Sequence, residues 1–110
     1  LSFADGSIGT LHYFGNGHRS YPKETAEVFC DGKVLRLDNF RALYGYGWKN
    51  FKKLKLYRQD KGHAAQFRQL TEAVARGGPP VMPFDGIVNV MRATLAAVQS
   101  AQEDRPIKID

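Results

Sequence analysis

The sequence predicts an α+β fold: an antiparallel or mixed open-faced β-sheet followed by two C-terminal helices packed on one face. Three observations predict it. Short runs rich in β-branched and aromatic residues, broken by Gly, Asn and Asp turns, fill the first half. The hydrophobic period lengthens from about two to about 3.6 residues at Asp60. Two amphipathic stretches, parted by Gly77-Gly78-Pro79-Pro80, fill most of the remainder. The expected order is β-β-β-β-α-α-β.

Ser2-Phe3-Ala4 leads into Asp5-Gly6-Ser7, a turn signal. Residues 8–14, Ile-Gly-Thr-Leu-His-Tyr-Phe, then read as the second arm of a hairpin. Gly15, Asn16, Gly17 and Pro22 mark a loop. The clearest signal is Asp31-Gly32 between Thr25–Cys30 and Lys33–Phe40, because an Asp-Gly pair supplies the positive φ angles of a type I′ turn. Leu35 and Leu37 alternate with Arg36 and Asp38, so one side packs and the other meets solvent or a partner. Tyr44-Gly45-Tyr46-Gly47-Trp48 reads as loop. Residues 51–58 alternate again, with Leu54 and Leu56 opposed to Lys53 and Lys55.

His63, Phe67, Leu70 and Val74 form one helical stripe, with Asp60 as the expected N-cap. Gly77 to Pro80 ends that helix. A second helix is expected from Phe84 to Gln102, with Phe84, Ile87, Val88, Met91, Leu95 and Val98 as its stripe. Arg105-Pro106 stops it, and residues 107–109 are expected as a short edge strand. Two helices cover one sheet face. The other, expected to hold Phe40, Tyr57, His12 and Tyr13 among charges, is left as an interface.

The composition is that of a globular chain: 110 residues, 43% hydrophobic, 25% charged, formal net charge +5. One domain over 1–110 is expected, burying roughly 65% of its unfolded surface. No run of about 18 apolar residues is present, so a membrane-spanning helix is not expected. No charged segment followed by an apolar stretch opens the chain, so no signal peptide is visible. One cysteine cannot form an internal disulfide, which favours a reducing, cytoplasmic compartment. The chain starts at Leu1, just before a turn, and is expected to be a piece of a longer protein.

Charge is unevenly placed. Between Arg41 and Lys61 stand seven bases and one acid, a local +6, interleaved with Tyr44, Tyr46, Trp48, Phe51 and Tyr57. Cations for phosphates and rings for bases are what single-strand nucleic-acid binding requires. A solvated lysine face on a strand that must not aggregate outweighs that reading. An anionic small molecule ranks between the two. His12, His18 and His63 lack the spacing of a zinc pair, and Cys30 has no partner and no adjacent base. Asp60 and His63 are better read as a cap and a packed residue than as an acid–base pair. No serine lies in Gly-x-Ser-x-Gly, and no Gly-x-Gly-x-x-Gly follows a strand and opens a helix. The residues alone show no convincing active site, and a purely structural homodimerisation domain, which needs only the open sheet face, stands beside the nucleic-acid module as an alternative.

The order of motifs resembles one family. Phe3 through Thr10 resembles the hairpin opening the late sheet of Gfo/Idh/MocA-type oxidoreductases, the glucose–fructose oxidoreductase and inositol dehydrogenase family. Glu27 through Leu35 resembles its strand–turn–strand step. Phe67 through Gly78, Pro80-Val81-Met82-Pro83-Phe84-Asp85 and Ile107-Lys108-Ile109 resemble its closing helices and last edge strand. Asn39 through Gly62 is similar to a bacterial subgroup often found beside polysaccharide-synthesis functions. Each motif is weak alone; their order covers nearly the whole chain.

The resemblance implies a parent with an NAD- or NADP-binding Rossmann domain and a C-terminal α+β domain, of which this chain is the last portion. The family's Glu-Lys-Pro tripeptide is absent here, and Asp60-x-x-His63 is one residue short of the Asp-x-x-x-His motif. No catalytic or cofactor-binding residue is carried over, no metal ligand is expected, and the chain alone is expected to be inactive. The implied parent oxidises or reduces a carbinol carbon of a sugar or cyclitol. This part would supply scaffold, a homo-oligomer interface through the open sheet face, and one wall of the substrate pocket. Tyr46, Trp48 and Lys49 are the expected wall residues: aromatic faces for a sugar ring, a cation for an anionic substituent, and glycine hinges beside them.

Overall fold

The computed structural model describes residues 1–109. They fall into two compact units, Leu1–Lys61 and a second from Gly62 onward. The first holds a four-stranded antiparallel sheet in sequential order: β1 (Thr25–Cys30), β2 (Lys33–Asp38), β3 (Ala42–Tyr46) and β4 (Lys53–Lys55). The second holds α1 (His63–Ala75) and α2 (Phe84–Glu103). The class is α+β, with an open antiparallel sheet and two C-terminal helices.

The β1–β2 turn forms as its dipeptide requires. Asp31 and Gly32 take φ of 50° and 67°, the two left-handed positions of a type I′ hairpin. That turn sets the register Val28↔Leu35 and Glu27↔Arg36. Pairing continues as Leu37↔Leu43 and Arg36↔Tyr44, then Leu43↔Leu54 and Tyr44↔Lys53. Opposed residues share a face. One face therefore carries Ala26, Val28, Leu35, Leu37, Leu43 and Leu54. The other carries the row Glu27–Arg36–Tyr44–Lys53, flanked by Phe29, Val34 and Tyr46 on one side and by Thr25, Asp38, Ala42 and Lys55 on the other. Ala42 is the one buried hydrophobic residue among those described.

The largest departure from expectation is β3. Residues 42–46 contain Gly45 between two tyrosines and read as loop, yet they form a central strand. Glycine is there because no side chain fits. A Cβ on Gly45 would lie 2.5 Å from the Phe51 ring and 3.0 Å from the Phe51 carbonyl oxygen. The glycine is a site of close approach inside a strand rather than a strand-breaker. Gly47 is constrained twice: its φ is 74°, and a Cβ would lie 2.9 Å from the Gly32 carbonyl oxygen of the β1–β2 turn.

Other expectations shrink. Residues 51–58 yield only the three-residue β4. The opening turn forms, with Phe3 N–H donating to Ser7 O (2.9 Å) and Gly9 N–H to Leu1 O (2.9 Å), but its ladder is a single Ser2↔Ile8 bridge. His12 and Tyr13 lie outside the sheet, and residues 107–109 form no strand. Phe40 sits in the β2–β3 turn at φ 51°, next to Asn39 at 49°. Such angles are costly for a bulky residue. They are held by Gln59 Nε2, which donates to Asn39 O (2.9 Å) and Oδ1 (3.0 Å), and by Asp60 N–H, which donates to Phe40 O (3.0 Å).

In the second unit the helix ends follow their chemistry. Gly77 and Gly78 N–H donate back to Val74 O (3.2 Å) and Ala73 O (2.9 Å), a Schellman closure of α1. Gly62, at φ 81°, is the N-cap in place of Asp60; it offers backbone freedom, and no side chain caps the helix. α2 starts on Pro83 with Asp85 in its first turn, where a carboxylate complements the helix dipole. Among the described residues the two helices do not pack on one another. The expected stripes are present but open: Phe67 is 67% exposed and Leu95 64%.

Candidate functional site

β3 and the segment after it place the expected wall residues. Tyr46 ends β3 opposite Val34 and is half exposed. Gly47 turns the chain, and Trp48 folds back so that its indole Nε1–H donates to the Val34 carbonyl oxygen (3.2 Å). The Lys33 ammonium lies 5.7 Å from the Trp48 ring centroid. Lys33 is itself paired with Asp31 at 2.7 Å. Trp48 is thus tied to the turn end of the β1–β2 hairpin. Lys49 is exposed in the following bend. The structure brings Tyr46 and Trp48 to one end of the sheet, and the cation it sets on the indole is Lys33. Sequence reading missed Lys33: it opens β2, and the β2–β3 register, which pairs its neighbour Val34 with Tyr46, brings it to this end of the sheet.

The bases of the +6 segment are partly engaged. Lys53 Nζ stands 5.1 Å from the Tyr44 centroid, Arg58 5.9 Å from that of Tyr57, and Lys61 5.9 Å from that of Phe40. Lys61 also pairs with Glu24, and Arg36 lies 3.8 Å from Glu27. On the Tyr44 face, three cations (Arg36, Lys53, Lys55) meet two carboxylates (Glu27, Asp38). The net excess on that face is one positive charge, small for a phosphate-tracking surface.

The remaining candidates stay dispersed. His12 stacks on Phe14 with centroids 5.8 Å apart. His18 Nδ1 lies 2.8 Å from Ser20 Oγ. His63 opens α1, and Cys30 is a free, exposed thiol. Among the described residues, no three of His, Cys, Asp and Glu gather as a metal-holding group. The Ser7 backbone N–H, and after it the Ser7 side chain, hold the Asp5 carboxyl below its ordinary range. That is turn chemistry, with Ser7 N–H donating to Asp5 Oδ1 at 2.9 Å. In the second unit, Arg92, Leu95, Gln99, Ile107 and Lys108 line an open cavity of about 280 Å³. No described helix is long and apolar enough to cross a membrane.

Neither a family model, nor a curated protein, nor a solved structure matches the chain.

Proposed function

We propose that this chain is the closing portion of the C-terminal domain of an NAD(P)-dependent sugar or cyclitol oxidoreductase. It serves as scaffold and homo-oligomer interface and supplies part of the substrate pocket. The family assignment rests on the motif order in the sequence. The observation that carries the interface role is the segregation of the sheet. Ala26, Val28, Leu35, Leu37, Leu43 and Leu54 line one face, and the charged row Glu27–Arg36–Tyr44–Lys53 runs across the other. Apolar rows of this kind are stabilised when a second surface removes them from water, at roughly 25 cal/mol per Å²; this face is therefore the proposed interface, in place of the expected one of Phe40, Tyr57, His12 and Tyr13, none of which lies in a strand.

In this reading Tyr46 and Trp48 present aromatic faces to a sugar ring, with Lys33 and Lys49 as the nearby cations. In a parent of this class a nicotinamide bound outside residues 1–110 would supply the hydride chemistry, and a group outside them would handle the proton. Sedimentation velocity over a concentration series tests the interface role: self-association is expected, and a strict monomer at every concentration removes it. Adding NADH or NADPH is expected to leave nicotinamide fluorescence unchanged. Clear enhancement would place the cofactor site in this chain and overturn the division of labour.

A second reading has one observation in its favour, the shared face of Phe29, Tyr44, Tyr46, Lys53 and Lys55. Rings and cations on adjacent strands suit stacked bases. Titration with single-stranded DNA at low and high salt separates the two readings. Salt-sensitive binding selects the nucleic-acid module; its absence leaves the scaffold.

A further inference from the structure

We infer that residues 9–14 close onto the free edge of β1 as a fifth antiparallel strand, a strap of the same chain that completes the sheet. The edge they would occupy is open: the sheet order starts at β1, and every residue of β1 is exposed. The hydrogen-bonding phase of that edge can be read. Asn39 N–H donates to Glu24 O (2.7 Å), so Glu24 faces β2, and so by alternation do Ala26, Val28 and Cys30. Thr25, Glu27 and Phe29 therefore turn their N–H and C=O groups outward.

The strap has the complementary phase. In the opening hairpin, Gly9 exchanges both its bonds with Leu1: Gly9 N–H donates to Leu1 O (2.9 Å), and the Leu1 ammonium donates to Gly9 O (2.8 Å). Continued as a strand, Thr10, His12 and Phe14 offer their backbone groups on the side away from that arm. The register Thr10↔Phe29, His12↔Glu27, Phe14↔Thr25 matches the two sets and pairs all six residues of β1.

Side-chain chemistry agrees independently. In this register Leu11 and Tyr13 fall opposite Val28 and Ala26, so they extend the apolar face and leave their present exposure of 83% and 92%. His12 falls opposite Glu27 and lengthens the row Glu27–Arg36–Tyr44–Lys53. The His12–Phe14 ring stack, with planes 20° apart, already puts alternate residues on one side, as an extended chain does. Residues 15–24 link the two strands, and loop-closure cost rises only logarithmically with length. The outcome is a protected edge: the long, apolar β1 edge is the aggregation hazard of this sheet, whereas β4 is three residues with two lysines.

Amide hydrogen exchange on the full chain reads the phase directly. Thr10, His12 and Phe14 amides are expected to exchange at least about tenfold more slowly than those of Leu11 and Tyr13. Uniformly fast exchange across residues 10–14 overturns the strap. A cross-link reads the register. In a Cys30→Ser background, Leu11→Cys with Val28→Cys makes a non-hydrogen-bonded pair, the close kind in an antiparallel ladder. Mild oxidation is expected to remove two hydrogens from the monomer, and Thr10→Cys with Val28→Cys is expected to oxidise far less. Equal oxidation of the two pairs overturns the register. A disulfide-linked dimer as the main product gives the edge to a second copy and overturns the strap.

Discussion

Glycine means opposite things in the two units. In the sheet unit, Gly45 and Gly47 sit where neighbouring chain leaves no room: Phe51 crosses the first, and the Gly32 carbonyl crowds the second. In the helical unit, Gly86 lies in the first turn of α2 with nothing within 4 Å of where its Cβ would be. The sheet is thus a product of pairing between strands, in which segments six and 15 residues apart exclude one another's side chains. The helices are products of local rules, namely stripe, cap and closing glycine. One substitution, glycine to alanine, reports the difference by its sign.

Gly47→Ala is expected to be the most damaging. A left-handed φ costs a non-glycine residue about 1–2 kcal/mol, and forcing a Cβ to 2.9 Å from a carbonyl oxygen adds an overpacking cost of about 1–3 kcal/mol. Urea unfolding followed by the emission of Trp48, the sole tryptophan, checks it. A loss below about 0.5 kcal/mol, the range of neutral surface changes, would mean that the β1–β2 turn does not press on Gly47.

Gly45→Ala comes next, at about 1–3 kcal/mol, because its φ is ordinary and only the contact with Phe51 is at stake. Part of that contact is a ring that can swing. Phe51→Leu combined with Gly45→Ala is therefore expected to cost less than the two single changes together. Strict additivity would show that the ring does not lie over Gly45.

These two glycines also mark where the sequence was legible. The type I′ turn at Asp31-Gly32, the two faces of β2, the Schellman end of α1 and the span of α2 were all readable, because each is set by residues a few positions apart. β3 was not, because Gly45 and Gly47 are turn signals to a local reading. Only the ring of Phe51 and the carbonyl of Gly32, brought in by tertiary pairing, explain them as strand and strand end. Asp60 failed as an N-cap for a related reason: Gly62 supplies a left-handed entry to α1 that needs no side chain. At the candidate site, Tyr46, Trp48 and Lys49 are legible from their residue types and the glycines beside them. The cation that meets the indole is Lys33, and only the register of two hairpins brings it there.

Trp48→Phe probes that junction with a smaller effect. It keeps an aromatic ring beside Lys33 and removes the indole N–H that donates to Val34 O. An exchangeable hydrogen bond of this kind is worth about 0.5–1.5 kcal/mol net. Trp48 is 40% exposed, so water can replace the lost donor and the low end applies. Since the variant has no tryptophan, the loss is read from the far-ultraviolet dichroism of the sheet. A loss well above that range would mean that the indole packs as a core side chain.

Gly86→Ala is expected to have the smallest effect, and the opposite sign. Gly86 lies inside α2, whose backbone needs no positive φ there, and open space surrounds the position. Alanine restricts the unfolded chain and suits a helix, a gain of at most about 0.5–1 kcal/mol in a helix interior and less in the first turn, where the helix is least cooperative. The gain should appear as more helical ellipticity and a higher melting midpoint, with the sheet signals unmoved. A destabilised Gly86→Ala would show that some surface closes on this turn of α2 and crowds it as Phe51 crowds Gly45. The contrast between the two units would then be one of degree.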